Sequence, residues 1–157
     1  MADKGGIGDN TIFSVQLWIN NSVKKMQSNL AQSKSNNSGT LRQSLGKNYR
    51  NAVTVKGGFL NGEITATDYW EFVDQGRAPG KRPPLNEILK WVKTKLPVGG
   101  NDLQTAFLIA RKIGKVGTKG NEFATKVLTD KRVKQLEDSI RKSMSEDIII
   151  AINGAIK

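Results

Sequence analysis

Residues 68–96 read DYWEFVDQGRAPGKRPPLNEILKWVKTKL, and the chain is organised around them. The first part, YWEFVDQG, is an aromatic, apolar turn of helix or a strand end, stopped by Gly76. The middle part, RAPGKRPP, cannot be regular, because Pro79, Pro83 and Pro84 lack an N–H and Gly80 admits positive φ. The last part, PLNEILKWVKTKL, is a helix. Pro84 suits its first turn, and Leu85, Ile88, Leu89, Val92 and Leu96 share one face. Pro97, Gly99 and Gly100 end it. The loop combines stiffness and charge with an absence of large apolar anchors. That predicts an assembly surface at Arg77, Pro79, Lys81 and Arg82. The aromatics on either side, Tyr69, Phe72 and Trp91, are expected to pack together with Phe107 as part of the core.

On the N-terminal side, NAVTVK alternates, so Asn51, Val53 and Val55 oppose Ala52, Thr54 and Lys56 in a half-buried strand that begins near Tyr49. Gly57-Gly58 and Asn61-Gly62 are both turn signals, and the return strand is expected at about residues 63–67, with Ile64 and Ala66 inward. LRQSL suits a short helical turn, and SKSNNSGT before it is a loop. A long helix starts at Thr11, capped by Asn10 or Thr11. Its stripe is Ile12, Val15, Ile19, Val23, Met26 and Leu30. Phe13, Leu17 and Trp18 lie off that stripe, which widens the core contact or forms a subunit interface that includes Trp18. Residues 1–10 are Gly-rich and polar, and are expected to form a flexible arm before a single domain over 11–157.

On the C-terminal side, Asn101 or Asp102 caps a helix whose buried face is Leu103, Ala106, Phe107, Ala110 and Ile113. GTKGNE breaks it, and Phe123, Val127 and Leu128 form a short apolar segment. A last helix runs from about 131 to 153, with Val133, Leu136, Ile140, Met144, Ile148 and Ala151 on one face and Gly154 as its stop. Its end, DIIIAINGAI, is apolar nearly all round, and is expected to be buried in the domain or against a partner. The sum is an α+β domain: a small antiparallel β-sheet, in effect a hairpin, packed by long N- and C-terminal helices and two central helices. A lone hairpin is only marginally stable, so a further strand is expected from this chain or a neighbour.

Composition narrows the chemistry. The 157 residues contain neither cysteine nor histidine. Disulfides, thiolate nucleophiles and an imidazole base are thereby excluded, and zinc, haem or iron–sulfur sites lose nearly all their ligands. No apolar run reaches membrane-spanning length, and MADKGGIGDN lacks a signal-peptide core. The expected location is the cytoplasm, or a larger particle assembled there. Asp68, Glu71 and Asp74 could hold a metal or do acid–base work, but helix capping and ion pairs with the basic loop explain them more simply. GKVGTKG, residues 114–120, lacks both the spacing and the preceding strand of a phosphate loop. The expectation is therefore no enzyme, no metal and no cofactor. The 25 Lys and Arg against 14 Asp and Glu, a net +11, favour a polyanionic neighbour. The cations fall into clusters at residues 77–95, 111–119 and 126–134.

The order of motifs carries a resemblance. Y-x-x-F-V-x-x-G-x-x-P-G-K-x-P-P at 69–84 is followed by W-V-K-x-K at 91–95 and A-F-x-I-A-R-K-I-x-x-x-G-T at 106–118. S-G-x-L-R-x-S at 38–44 precedes them. Together they resemble the neck, tail-completion, head–tail joining and minor tail proteins of tailed-bacteriophage virions. The chain departs from that pattern at Asp74-Gln75-Gly76-Arg77, where many relatives carry a glutamate and a neutral residue around the glycine. The resemblance implies a structural subunit of a homo-oligomeric ring of six or twelve copies around the DNA path, between portal or adaptor proteins and tail proteins. In such a ring, Lys115 and Lys119 would lie nearest the DNA lumen, and the cations of the 85–96 helix would face acidic neighbours. The alternative is a basic nucleic-acid-binding protein, for which no helix-turn-helix, zinc-finger or RNA-binding signature is evident.

Overall fold

A computed structural model of the protein describes residues 7–33, 39–47, 52–96 and 101–155. Residues 1–6 of the expected arm, and Tyr49, Asn51, Pro97, Gly99 and Gly100, expected in a strand or as a helix stop, lie outside them. Six helices and two short antiparallel ribbons make up the described residues.

The frame is a pair of antiparallel helices, α1 (Asp9–Gln32) and α6 (Asp130–Ala155). Their direction follows from their contacts: Asp147 meets Asn10 and Thr11, the Ser14 and Ser143 hydroxyls share a hydrogen bond, and Trp18 meets Arg132. Val15, Ile19, Val23, Met26 and Leu30 of α1 are buried at the 3.6-residue period expected of them. Leu41 and Leu45 of α2 (Thr40–Gly46), together with Ala52, Phe123, Ala124 and Val127, complete the core. Leu136 and Ile140 of α6 pack on it, as do Val53, Leu60, Ile64 and Ala66.

β1 (Val53–Lys56) and β2 (Phe59–Gly62) pair antiparallel, Val53 opposite Gly62 and Lys56 opposite Phe59. The turn is therefore Gly57-Gly58, both at positive φ, and the return strand is four residues earlier than expected. Asn61-Gly62 lies inside β2, where a Cβ on Gly62 would meet Ile19 on α1. The Glu63 N–H still donates to the Ala52 carbonyl at 2.9 Å, but residues 63–67 belong to no strand; Ile64 and Ala66 nevertheless face the core. No third strand joins this ribbon among the described residues; α1 covers it instead.

A second ribbon, unforeseen in the sequence, pairs β3 (Gly76–Arg77) with β4 (Thr118–Lys119). It works because glycines bring the two backbones together. Gly117 sits at φ 78° against the Arg77 carbonyl, and a side chain there would collide with backbone as well as being strained.

The ribbon is the base of a helical hairpin, α4 (Leu85–Lys95) and α5 (Asp102–Val116). Val92, Ala106 and Ala110 are the buried residues of these two helices, and the alanines permit close approach. Asn101 caps α5, its Oδ1 accepting from the Gln104 N–H at 3.2 Å. Among the described residues, α4 and α5 pack on each other and make no substantial contact with α1 or α6.

That separation corrects the expected aromatic cluster. Tyr69, Phe72 and Phe107 are 43–57 % exposed. In α3 (Trp70–Asp74), Trp70 and Val73 pack on the core and Asp74 is buried, while Phe72 lies off their face and points outward. Leu103 on α5 and Leu128 are likewise exposed, contrary to expectation.

Candidate functional site

The loop after β3 is held to the end of α5. The Gly80 N–H donates to the Gly114 carbonyl at 2.8 Å, and the Arg77 guanidinium donates to the Lys81 carbonyl at 3.0 Å. Arg77 also lies over the Phe72 ring, 5.6 Å from its centroid, and Arg82 over Phe107 at 5.7 Å. Pro79, Lys81 and Arg82 are exposed and Arg77 is half-buried, so this loop is surface, as its composition suggested. Lys115 and Lys119 are exposed as well. The β3–β4 pairing sets Arg77 opposite Thr118 and Gly76 opposite Lys119. The loop cations and the Lys115–Lys119 cations, which the sequence reading sent to different neighbours, therefore lie on one end of the hairpin. Arg111 joins them, since it follows Phe107 by one helical turn on the face that carries Arg82.

A second exposed feature is apolar. Because Asp147 meets the first turn of α1, residues 148–155 of α6 overhang it by about 12 Å at 1.5 Å per residue. Ile148, Ile149, Ile150 and Ile152 are 54–61 % exposed. The end of α6 is thus not buried in its own domain, and the helix runs past Gly154 to Ala155. An apolar groove of about 470 Å³ continues from it, lined by Ile7, Leu60, Ile140, Met144, Ile148 and Ala151. On α1, Phe13 and Leu17 are exposed. Trp18 is not part of that surface in the same way. Its Nε1–H donates to the Arg132 carbonyl at 3.1 Å, and the Arg132 guanidinium covers its ring and donates to Ser22.

Two carboxylates have structural roles that the sequence left unread. Asp74 does not pair with the basic loop. It is 1 % exposed and accepts from the Ala124 N–H at 2.7 Å, the Thr125 N–H at 3.3 Å and the Thr125 hydroxyl. Asp147 replaces the expected cap of α1. Neither Asn10 nor Thr11 caps, because the helix starts at Asp9 with Gly8 as N-cap. Asp147 accepts from the Asn10 and Thr11 N–H groups, at 3.2 and 3.0 Å, and from the Thr11 hydroxyl at 2.7 Å. The signal available in sequence was a single acid at the head of an apolar run.

The Thr11 hydroxyl bond chiefly holds the Asp147 pKa below its ordinary 3.8; desolvation opposes it, and the Thr11 and Asn10 N–H groups add to the lowering. A depressed carboxylate stabilises the fold above its unfolded-state pKa and loses that contribution as pH falls through the folded value. Asp147→Asn should therefore melt below the wild type at neutral pH, and the gap should close below about pH 3.8. Thermal melts of both proteins across that range check it; a gap independent of pH would show that the charge is not what matters.

Among the described residues, no group of three or more Asp or Glu side chains converges as a metal site would require. No helix is long and apolar enough to cross a membrane, again among the described residues. No family model, curated protein or solved structure matches this chain.

Proposed function

We propose that this protein is a structural subunit of a tailed-phage particle, forming a homo-oligomeric ring in the neck or upper tail around the path of the DNA. The single observation that carries the assembly reading is the overhanging end of α6. Four isoleucines stand more than half exposed on a helix end without a charge from 148 to 155. Burial of apolar area is the main force of subunit association, and exposed apolar patches of this kind mark protein contacts. The level of the particle and the portal, adaptor and tail neighbours rest on the motif order at 38–118. In this reading, the end of α6 inserts against a neighbouring copy, and two unlike faces meet head to tail, the arrangement that closes into rings.

Light scattering and electron microscopy of the purified chain test this. Rings with an open centre are expected. Ile149→Asp with Ile150→Asp should leave the melting temperature close to wild type, since both side chains are solvent-facing. The same change should weaken self-association by about tenfold to a hundredfold, the scale of a lost interface anchor. A wild type that stays monomeric at high concentration, and antibodies that fail to label tailed particles, would reject the ring.

A second reading, a basic nucleic-acid-binding protein acting outside any particle, is favoured by one observation. Residues 76–120 carry ten Lys and Arg against two carboxylates. Tight DNA binding by a monomer, with no ring under any condition, would favour it.

A further inference from the structure

We infer that the base of the α4–α5 hairpin is a binding site for the phosphate backbone of duplex DNA, made by Arg77, Lys81, Arg82, Arg111, Lys115 and Lys119. The two carboxylates of residues 76–120 do not reach this end. Glu87 pairs with Lys90, 2.9 Å away, and Asp102 lies in the first turn of α5, at the opposite end of the hairpin. None of the six cations forms an ion pair among the described residues. Lys119 shares a groove with Asp74 and Glu122, but Asp74 accepts from Ala124 and Thr125, and Glu122 pairs with Lys126 at 3.1 Å. Six positive charges from a loop, a helix end and a strand thus outnumber the carboxylates at this end.

The arginines are also held in place. Arg77 and Arg82 lie over aromatic rings, and the Arg77–Lys81 and Gly80–Gly114 hydrogen bonds fix the loop between them. A planar guanidinium stacked on a ring keeps donors free at its edge and loses less freedom when it meets a phosphate. An acidic protein surface is the less fitting occupant. Lysine is depleted in protein interfaces, and half of these six cations are lysines. The Phe72 and Phe107 rings, which could anchor such an interface, each already carry an arginine over one face. Duplex DNA, by contrast, offers a negative charge about every 1.7 Å of axis. With no recognition element in the loop, the binding is expected to be independent of sequence. The site deepens the ring reading by turning the base of the hairpin, loop included, toward the DNA.

The test is fluorescence anisotropy of a labelled duplex of about 30 base pairs with the full chain, in rising salt. If six phosphates are neutralised, affinity should fall on the order of a thousandfold between about 50 and 200 mM salt. Lys81→Gln with Arg111→Gln and Lys115→Gln removes three of the contacts and should cut that fall to a few tens of fold. Lys134→Gln with Arg141→Gln and Lys142→Gln removes the same charge from exposed positions on α6 and should leave the fall near the wild-type value. No binding at the lowest salt overturns the inference, and equal weakening by the two triple variants reduces it to bulk charge. Displacement of DNA by polyglutamate at equal charge assigns the surface to an acidic protein instead. Light scattering on the same samples separates the two proposals. Rings without DNA binding reject only this site, and DNA binding without rings rejects only the ring.

Discussion

Phe123→Ala is expected to destabilise the fold by about 3–5 kcal/mol, the usual cost of emptying a buried phenylalanine site. Phe123 is 1 % exposed and the largest fully buried side chain among the described residues. It packs in the cluster formed by α1, α2 and Val127, and its carbonyl accepts from the Asn29 side chain at 3.1 Å. A drop of about 10 °C in melting temperature should follow for a domain of this size. Phe107→Ala is the informative contrast. Phe107 is 46 % exposed, and its contact with Arg82 is a cation–π pair at the surface, so a loss of about 1 kcal/mol or less is expected. Chemical denaturation of the two variants measures both. Equal losses would mean that the hairpin and the main core form one packed unit, contrary to the contacts described above.

Asp74→Ala should cost about 1–3 kcal/mol, because it orphans the buried Ala124 N–H and releases the part-buried Thr125 donors. Asp74 binds the segment that delivers Phe123. The Asn121 and Glu122 N–H groups donate to the Val73 and Asp74 carbonyls, and the Asp74 carboxylate takes the Ala124 and Thr125 N–H groups. Glu122, at φ 57°, makes the sharp turn between them. The two residues therefore act on one element, and Asp74→Ala combined with Phe123→Ala should cost less than the sum of the single changes. Asp74→Asn keeps an acceptor oxygen and should recover part of the loss. A mild effect of Asp74→Ala, under about 1 kcal/mol, would show that water reaches these donors and that the segment is held by Phe123 alone.

What the sequence determined by itself was the part of the fold set by local periodicity. The α1 stripe, the helices around Leu41, Val92 and Ala106 and the long last helix follow from 3.6-residue spacing and from glycine and proline punctuation, and the α5 cap was legible as Asn101 or Asp102. The loop at 77–84 was legible as surface because its residues cannot anchor in a core. Only the tertiary structure decided which apolar faces find cover. Phe72 and Phe107 have the composition of core residues. They are exposed because α3 turns Trp70 and Val73 inward and because the hairpin stands apart from α1 and α6. Register decided the rest. The β1–β2 turn falls at Gly57-Gly58, where Asn61-Gly62 offered an equal local signal, because Gly62 is needed as a gap for Ile19. The union of the two basic clusters likewise rests on four paired residues, 76–77 with 118–119, brought together by glycines over 40 positions apart in the chain. No local pattern encodes a contact at that separation. It exists because the backbones fit, and it makes one surface out of charges that look like two in the sequence.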